Sequence, residues 1–116
     1  MKSKKARLRS QADKLWFQKL IEYNCIFCKE RAVQVHHVYS KGQWGHLRYD
    51  LDNGIPVCQS CHMDFHFRYN PDKVPQLIKI KGKAWYERLK KKALTKPKPG
   101  YATTAWYQEN IERLEN

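Results

Sequence analysis

CIFCKERAVQVHHVYSKGQWGHLRYDLDNGIPVCQSCHMDFH, running from Cys25 to His66, decides the fold of this 116-residue chain. Its four cysteines fall in two C-x-x-C pairs, Cys25 with Cys28 and Cys58 with Cys61. Two residues between ligands let both thiolates of a pair reach one tetrahedral ion at ~2.3 Å, so the spacing predicts a structural zinc site. Twenty-nine residues separate the pairs, more than an ordinary zinc ribbon needs, so an insertion must loop out between them. His36 and His37 sit in that insertion, His62 directly follows the second pair, and His66 comes one helical turn later. A variant site in which His62 replaces one cysteine at the zinc is also open.

Working outward, Val33 and Val35 alternate around Gln34, which predicts a short strand over 32–37. Adjacent strand residues face opposite ways, so His36 and His37 can serve different tasks, one at a metal and one at a water molecule. His62 and His66 are four apart and share one face of a helix expected from near Ser60 to before Asn70. Taken singly, each histidine also reads as an ordinary core or surface residue. Four of them framed by cysteine pairs point to a second metal, for chemistry rather than folding. Asp52-Asn53-Gly54 reads as a turn, and Asn53 offers both a donor and an acceptor for bracing a loop.

Lys and Arg number 23 against 11 Asp and Glu, a formal charge of +12 with pI near 9.7. That excess favours a polyanionic partner, because each neutralised phosphate releases condensed counterions; the plainer role of the charge is solubility. No apolar run approaches the ~20 residues of a spanning helix, and MKSKKARLRSQ has no apolar run behind it long enough for a signal peptide. The expected compartment is therefore a reducing cytoplasm, where cysteines serve as zinc ligands rather than disulfides.

The segments on either side divide into parts. Residues 1–9 hold five basic residues and no acidic one, which predicts a flexible arm. Ser10 with Asp13 suggests a helix start, and Ala12, Leu15, Trp16, Leu20 and Tyr23 recur at helical spacing over 11–24. With residues 1–24 as arm and helix, the metal module takes 25–69 and a basic helical extension 70–95, with helices over 72–80 and 83–94 broken at Gly82. Lys96-Pro97-Lys98-Pro99-Gly100 is a linker or sharp turn, and within 96–116 Thr103 or Thr104 caps a last helix with Tyr107, Ile111 and Leu114 on one face. That helix packs on the protein or pairs two subunits. Between Lys79 and Lys98 lie nine basic residues and one acidic residue, Glu87, a stripe that suits a phosphate backbone. Arg48, Lys41, Lys90 and Lys91 are the candidate phosphate contacts; Trp44 either stacks on a base or caps the small core.

The order HH, N, H interleaved with C-x-x-C and C-x-x-C-H resembles the HNH endonucleases of the ββα-metal (His-Me finger) superfamily, and LRYDLDNGIPVCQSCH is similar to that family's approach to its second knuckle. The resemblance covers Cys25 to His66. It implies a small α+β fold, a β-hairpin plus helix stapled by the four-cysteine zinc and flanked by N- and C-terminal helices. It implies a metal-dependent endonuclease in which His37 is the general base, Asn53 orients it, and His36 and His62 hold a divalent ion. His66 stands where related nucleases have a further ligand. The ion is Mg, Mn, Ni or Zn, and the substrate is double-stranded or branched DNA. Small phage-encoded or bacterial proteins of this family look alike. A monomer would nick one strand, whereas a homodimer could cut both; a larger phage or bacterial complex is the other expected assembly. A zinc-knuckle module that binds nucleic acid without cutting it is the alternative, and it needs only the cysteines and the charge.

Overall fold

The computed structural model describes residues 2–66 and 73–116, with Phe65, His66 and Lys73 described by backbone alone. A β-hairpin lies at the centre, β1 (Gln34–His37) paired antiparallel with β2 (Gly54–Val57). Around it lie α1 (Lys4–Ile21), α2 (Gln59–His66), α3 (Lys73–Lys81), α4 (Lys83–Leu94) and α5 (Thr104–Glu115). This is the small α+β architecture expected: hairpin, helix, four-cysteine cluster and flanking helices.

The hairpin register fixes what each face meets. His36 pairs with Ile55 and Gln34 with Val57, so these share a face; Val35 pairs with Pro56 and His37 with Gly54 on the other. Ile55 and Val57, both fully buried, join Cys25, Cys61, Leu77, Trp85 and Leu89 in one apolar cluster. Val35 joins Ala12, Trp16, Tyr107, Ile111 and Leu114 in a second, where α1 packs on α5. The hairpin is thus the partition between two small cores.

Several boundaries differ from expectation. α1 begins at Lys4, capped by the Ser3 hydroxyl, which accepts from the Ala6 amide at 3.1 Å. The basic residues expected to form a loose arm are its first turns, because Lys, Arg, Ala and Leu all favour helix and no Gly or Pro interrupts them. The same helix stops at Ile21, short of Asn24. β1 is confined to Gln34–His37. α4 spans the expected residues, with Gly82 at φ +101° in the left-handed region making the break from α3. Thr103 caps α5, its hydroxyl accepting from the Trp106 amide at 3.2 Å. Of the two expected roles for α5, packing on the protein is what the structure displays. The expected boundary at residues 69 and 70 lies outside the described residues.

Two short 3-10 turns, Gly45–Leu47 and Leu51–Asn53, lead from the loop after β1 into β2. Two indoles pin the second turn from different helices. Trp16 of α1 donates to the Asp50 carbonyl at 3.1 Å, and Trp85 of α4 donates to that of Asp52 at 2.8 Å. Among the described residues, no buried side-chain nitrogen or oxygen lacks a partner. No helix among them is long and apolar enough to cross a membrane.

Candidate active site

The cysteine pairs meet because the hairpin and α2 bring them together. Cys25 and Cys28 lie on a tight turn tied to β2 by the Ile26 amide, which donates to the Pro56 carbonyl at 3.0 Å. Cys58 and Cys61 lie at the entry to α2, and the Cys61 amide donates to the Cys58 sulfur at 3.4 Å. All four Sγ atoms lie within 4.8 Å of one another, with Cys28 and Cys58 3.5 Å apart. A tetrahedral zinc with ~2.3 Å bonds holds its sulfurs roughly 3.8 Å apart, so the cluster fits that ion. His62 is not needed to complete it. Burial opposes ionisation of Cys25, but backbone hydrogen bonds at Cys28, Cys58 and Phe27 outweigh it and draw the thiol down to about 7. Cys61 is pushed strongly up, first by burial and then by Cys58 and Cys25. Thiols crowded in this way ionise together only when a cation takes up their charge.

The histidines of β1 part as strand geometry requires. His36 turns towards α2, where its ring meets that of His62 edge-on with centroids 5.9 Å apart. His37 turns towards α1, where its ring stacks on Trp16 at 4.0 Å and 8°. Both still border one cleft of about 720 Å³, together with His62, Asp13, Trp16 and Lys41. Two imidazoles sharing an ion at ~2.1 Å have centroids no more than roughly 6.5 Å apart, so His36 and His62 fit a common cation. Among the described residues, the cysteines are the one group of three or more candidate ligands. The side chain of His66 lies outside the description, so no third imidazole is assigned.

His37 is held on three sides. Trp16 covers one face of its ring, and its Nε2 lies 3.0 Å from the Arg48 carbonyl oxygen. Directly across the hairpin is Gly54, where a Cβ would collide with the Trp16 ring and the Leu20 side chain. Only a residue without a side chain lets Trp16 settle over this pair. Burial is the main influence on His37 and lowers its pKa below 6.5; the hydrogen bond to Arg48 opposes this, and the charges of Lys41 and Arg48 add to it.

Asn53 is fully buried, and both its amide oxygen and its amide nitrogen are hydrogen-bonded. Its Oδ1 accepts from the Tyr39 amide at 2.8 Å, and its Nδ2 donates to the carbonyls of Tyr39 at 3.0 Å and Leu47 at 3.2 Å. It therefore clamps both ends of the loop that follows β1. One end of that clamp is a single residue from the carbonyl that receives His37.

The basic candidates fare differently. Lys41 is exposed at the rim of the cleft. The guanidinium of Arg48 is held by Asp13 through two 2.8 Å hydrogen bonds, leaving the side chain only 20% exposed. What Arg48 gives to the site is its carbonyl rather than an open cation. Lys90 and Lys91 are exposed on α4 and do not border the cleft. Their neighbour Lys92 is paired with Asp50 at 2.9 Å and Asp52 at 3.5 Å, so the expected basic stripe is interrupted. Trp44 packs against Tyr39 at 5.1 Å on the first core, in keeping with its capping role.

Asp13 and Trp16 are the site residues that sequence reading missed. Trp16 reads as one more apolar position of an amphipathic helix. The signal was that Asp13 and Trp16, three apart, share a helix face, so a carboxylate and an indole leave α1 together.

The family profile described as HNH endonuclease matches residues 25–68. No curated protein and no solved structure matches the chain. The chain thus carries an HNH endonuclease domain that includes the four-cysteine cluster, which implies nuclease activity with DNA as substrate.

Proposed function

We propose, from the match of residues 25–68 to the HNH endonuclease family, that this protein hydrolyses phosphodiester bonds in DNA with His37 as the general base. The observation that carries this reading is the 3.0 Å contact between His37 Nε2 and the Arg48 carbonyl. A carbonyl only accepts, so Nε2 carries the proton and Nδ1 keeps its lone pair. That tautomer can take a proton from an attacking water through Nδ1. The depressed pKa keeps the ring neutral, and so able to act, at neutral pH. Trp16 fixes the plane of the ring, and Asn53 holds the loop that presents the Arg48 carbonyl.

His36 and His62 would hold the catalytic divalent ion. Imidazole ligands suit Zn or Ni, and an open two-histidine site also accepts Mg or Mn when phosphate supplies oxygens. When bound, such an ion polarises the phosphate and steadies the departing oxygen. Lys41, on the rim, would meet a phosphate beside the scissile bond. One cleft acts on one strand at a time, so the single chain nicks double-stranded or branched DNA.

The test is nicking of supercoiled plasmid with added Mg, Mn or Ni. The native protein should relax the plasmid, and His37→Ala should lower the rate at least about 100-fold while DNA binding and zinc content stay near native. Normal cutting by the variant, or none by the native protein with any of these ions, would overturn the reading.

A further inference from the structure

A second concave surface lies outside the matched domain for most of its lining. It is a groove of about 720 Å³ between α4, the Lys96–Pro99 strap and α5, floored by His46 and Leu47. Its lining shares no residue with that of the catalytic cleft. Five basic side chains border it against two acidic ones, and one of these acids, Asp50, is already engaged by Lys92. Lys91, Lys96 and Lys98 pair with no described carboxylate.

Within this basic wall stands a fixed aromatic ring. Tyr101 is 36% exposed. It meets Trp106 edge-on at 5.0 Å and His46 at 6.4 Å, and its hydroxyl is seated so closely against Gly45 that a Cβ there would collide with it. The His46 ring is itself anchored, its Nε2 3.0 Å from the Lys92 carbonyl.

We infer that this groove is a second nucleic-acid site that takes an unpaired DNA strand adjoining the cleaved region, its phosphates on Lys91, Lys96 and Lys98 and a base on Tyr101. The inference rests on the nuclease reading, because it names the kind of substrate. Charge selects a polyanion. The aromatic selects a single strand, since bases inside a duplex are stacked on one another and offer no face to a side chain. Pro97 and Pro99 fix their own φ and favour extended backbone at the residues before them, Lys96 and Lys98, and such backbone spaces alternate Cα atoms ~6 Å apart. That is close to the separation of successive phosphates in an extended strand.

The experiment measures binding of the full chain carrying His37→Ala to a labelled single-stranded oligonucleotide and to a blunt duplex of the same sequence. Adding Lys96→Gln and Lys98→Gln should weaken single-strand binding about tenfold near 0.1 M salt and lower the log–log salt slope by about 1.4. Duplex binding should change much less. An abasic unit moved along the single strand should lower affinity about fivefold at one position, where a base sits on the ring. An unaltered salt slope, equal losses for duplex and single strand, or indifference to every abasic position would each overturn the proposal. Cleavage is not read in this experiment, so its failure leaves the nuclease reading standing. Absence of cutting by native protein would leave the groove result standing in turn.

Discussion

At His37, burial and nearby positive charge act in the same direction, and the consequence can be measured. The folded pKa lies below the unfolded 6.5, so the neutral ring contributes stability that is fully present above 6.5 and is lost as pH falls through the lowered value. Cleavage should follow the same sign, with its acidic limb below pH 6.5; a limb centred above 7 would show that the base is not this histidine. Asn53 allows a sharper test. Asn53→Asp keeps the shape but turns a donor towards two carbonyls into an acceptor, and it buries a charge. We expect a loss of at least about 2 kcal/mol in urea unfolding, together with slower cleavage. Retention of native stability would mean that the loop does not depend on this amide.

At the scale of elements, α1 does more than fill space. Trp16→Leu should reduce kcat about tenfold or more, because a small misplacement of a reacting group is costly, while KM stays near native and Trp16→Phe recovers most of the rate. A change confined to KM would instead make Trp16 a substrate contact. The second knuckle, at the entry to α2, makes a different prediction. Cys58→Ala should lower both zinc stoichiometry and melting temperature, because a tetrahedral site that loses one of its four thiolates gives up metal affinity that is also folding free energy. The four-cysteine cluster was legible in the chain because ligand spacing is local: Cys25 with Cys28 and Cys58 with Cys61 each declare themselves within a few residues. Helix α4 and the Thr103 cap were legible for the same reason. The clamp on His37 was not. Trp16 is 21 positions away from that ring, Asp13 is 35 from Arg48, and no periodicity encodes which face of a helix will rest on which strand. The N-terminal turns of α1 were misread because clustered charge resembles disorder until a cap such as Ser3 is recognised.

In the whole molecule, two apolar clusters flank one hairpin, and they divide the labour. The cluster under β2 includes Cys25 and Cys61, whereas the cluster over β1 holds the helix whose Trp16 stacks on His37. Ile111→Ala on α5, fully buried against α1, should destabilise the second by about 2–5 kcal/mol. Amide exchange should quicken along α1 and α5, and cleavage should weaken, while zinc content is unaltered. Loss of zinc in that variant would show instead that the two clusters melt as one. The contact of α1 with α5 joins elements near opposite ends of the described chain, and this bears on timing. During N-to-C synthesis the cysteine pairs are complete well before α5 exists to seat α1. A nascent chain can therefore gather its four thiols around a structural ion while the imidazole of His37 still lacks a settled seat on Trp16, so on the proposed mechanism metal uptake precedes fitness to cut.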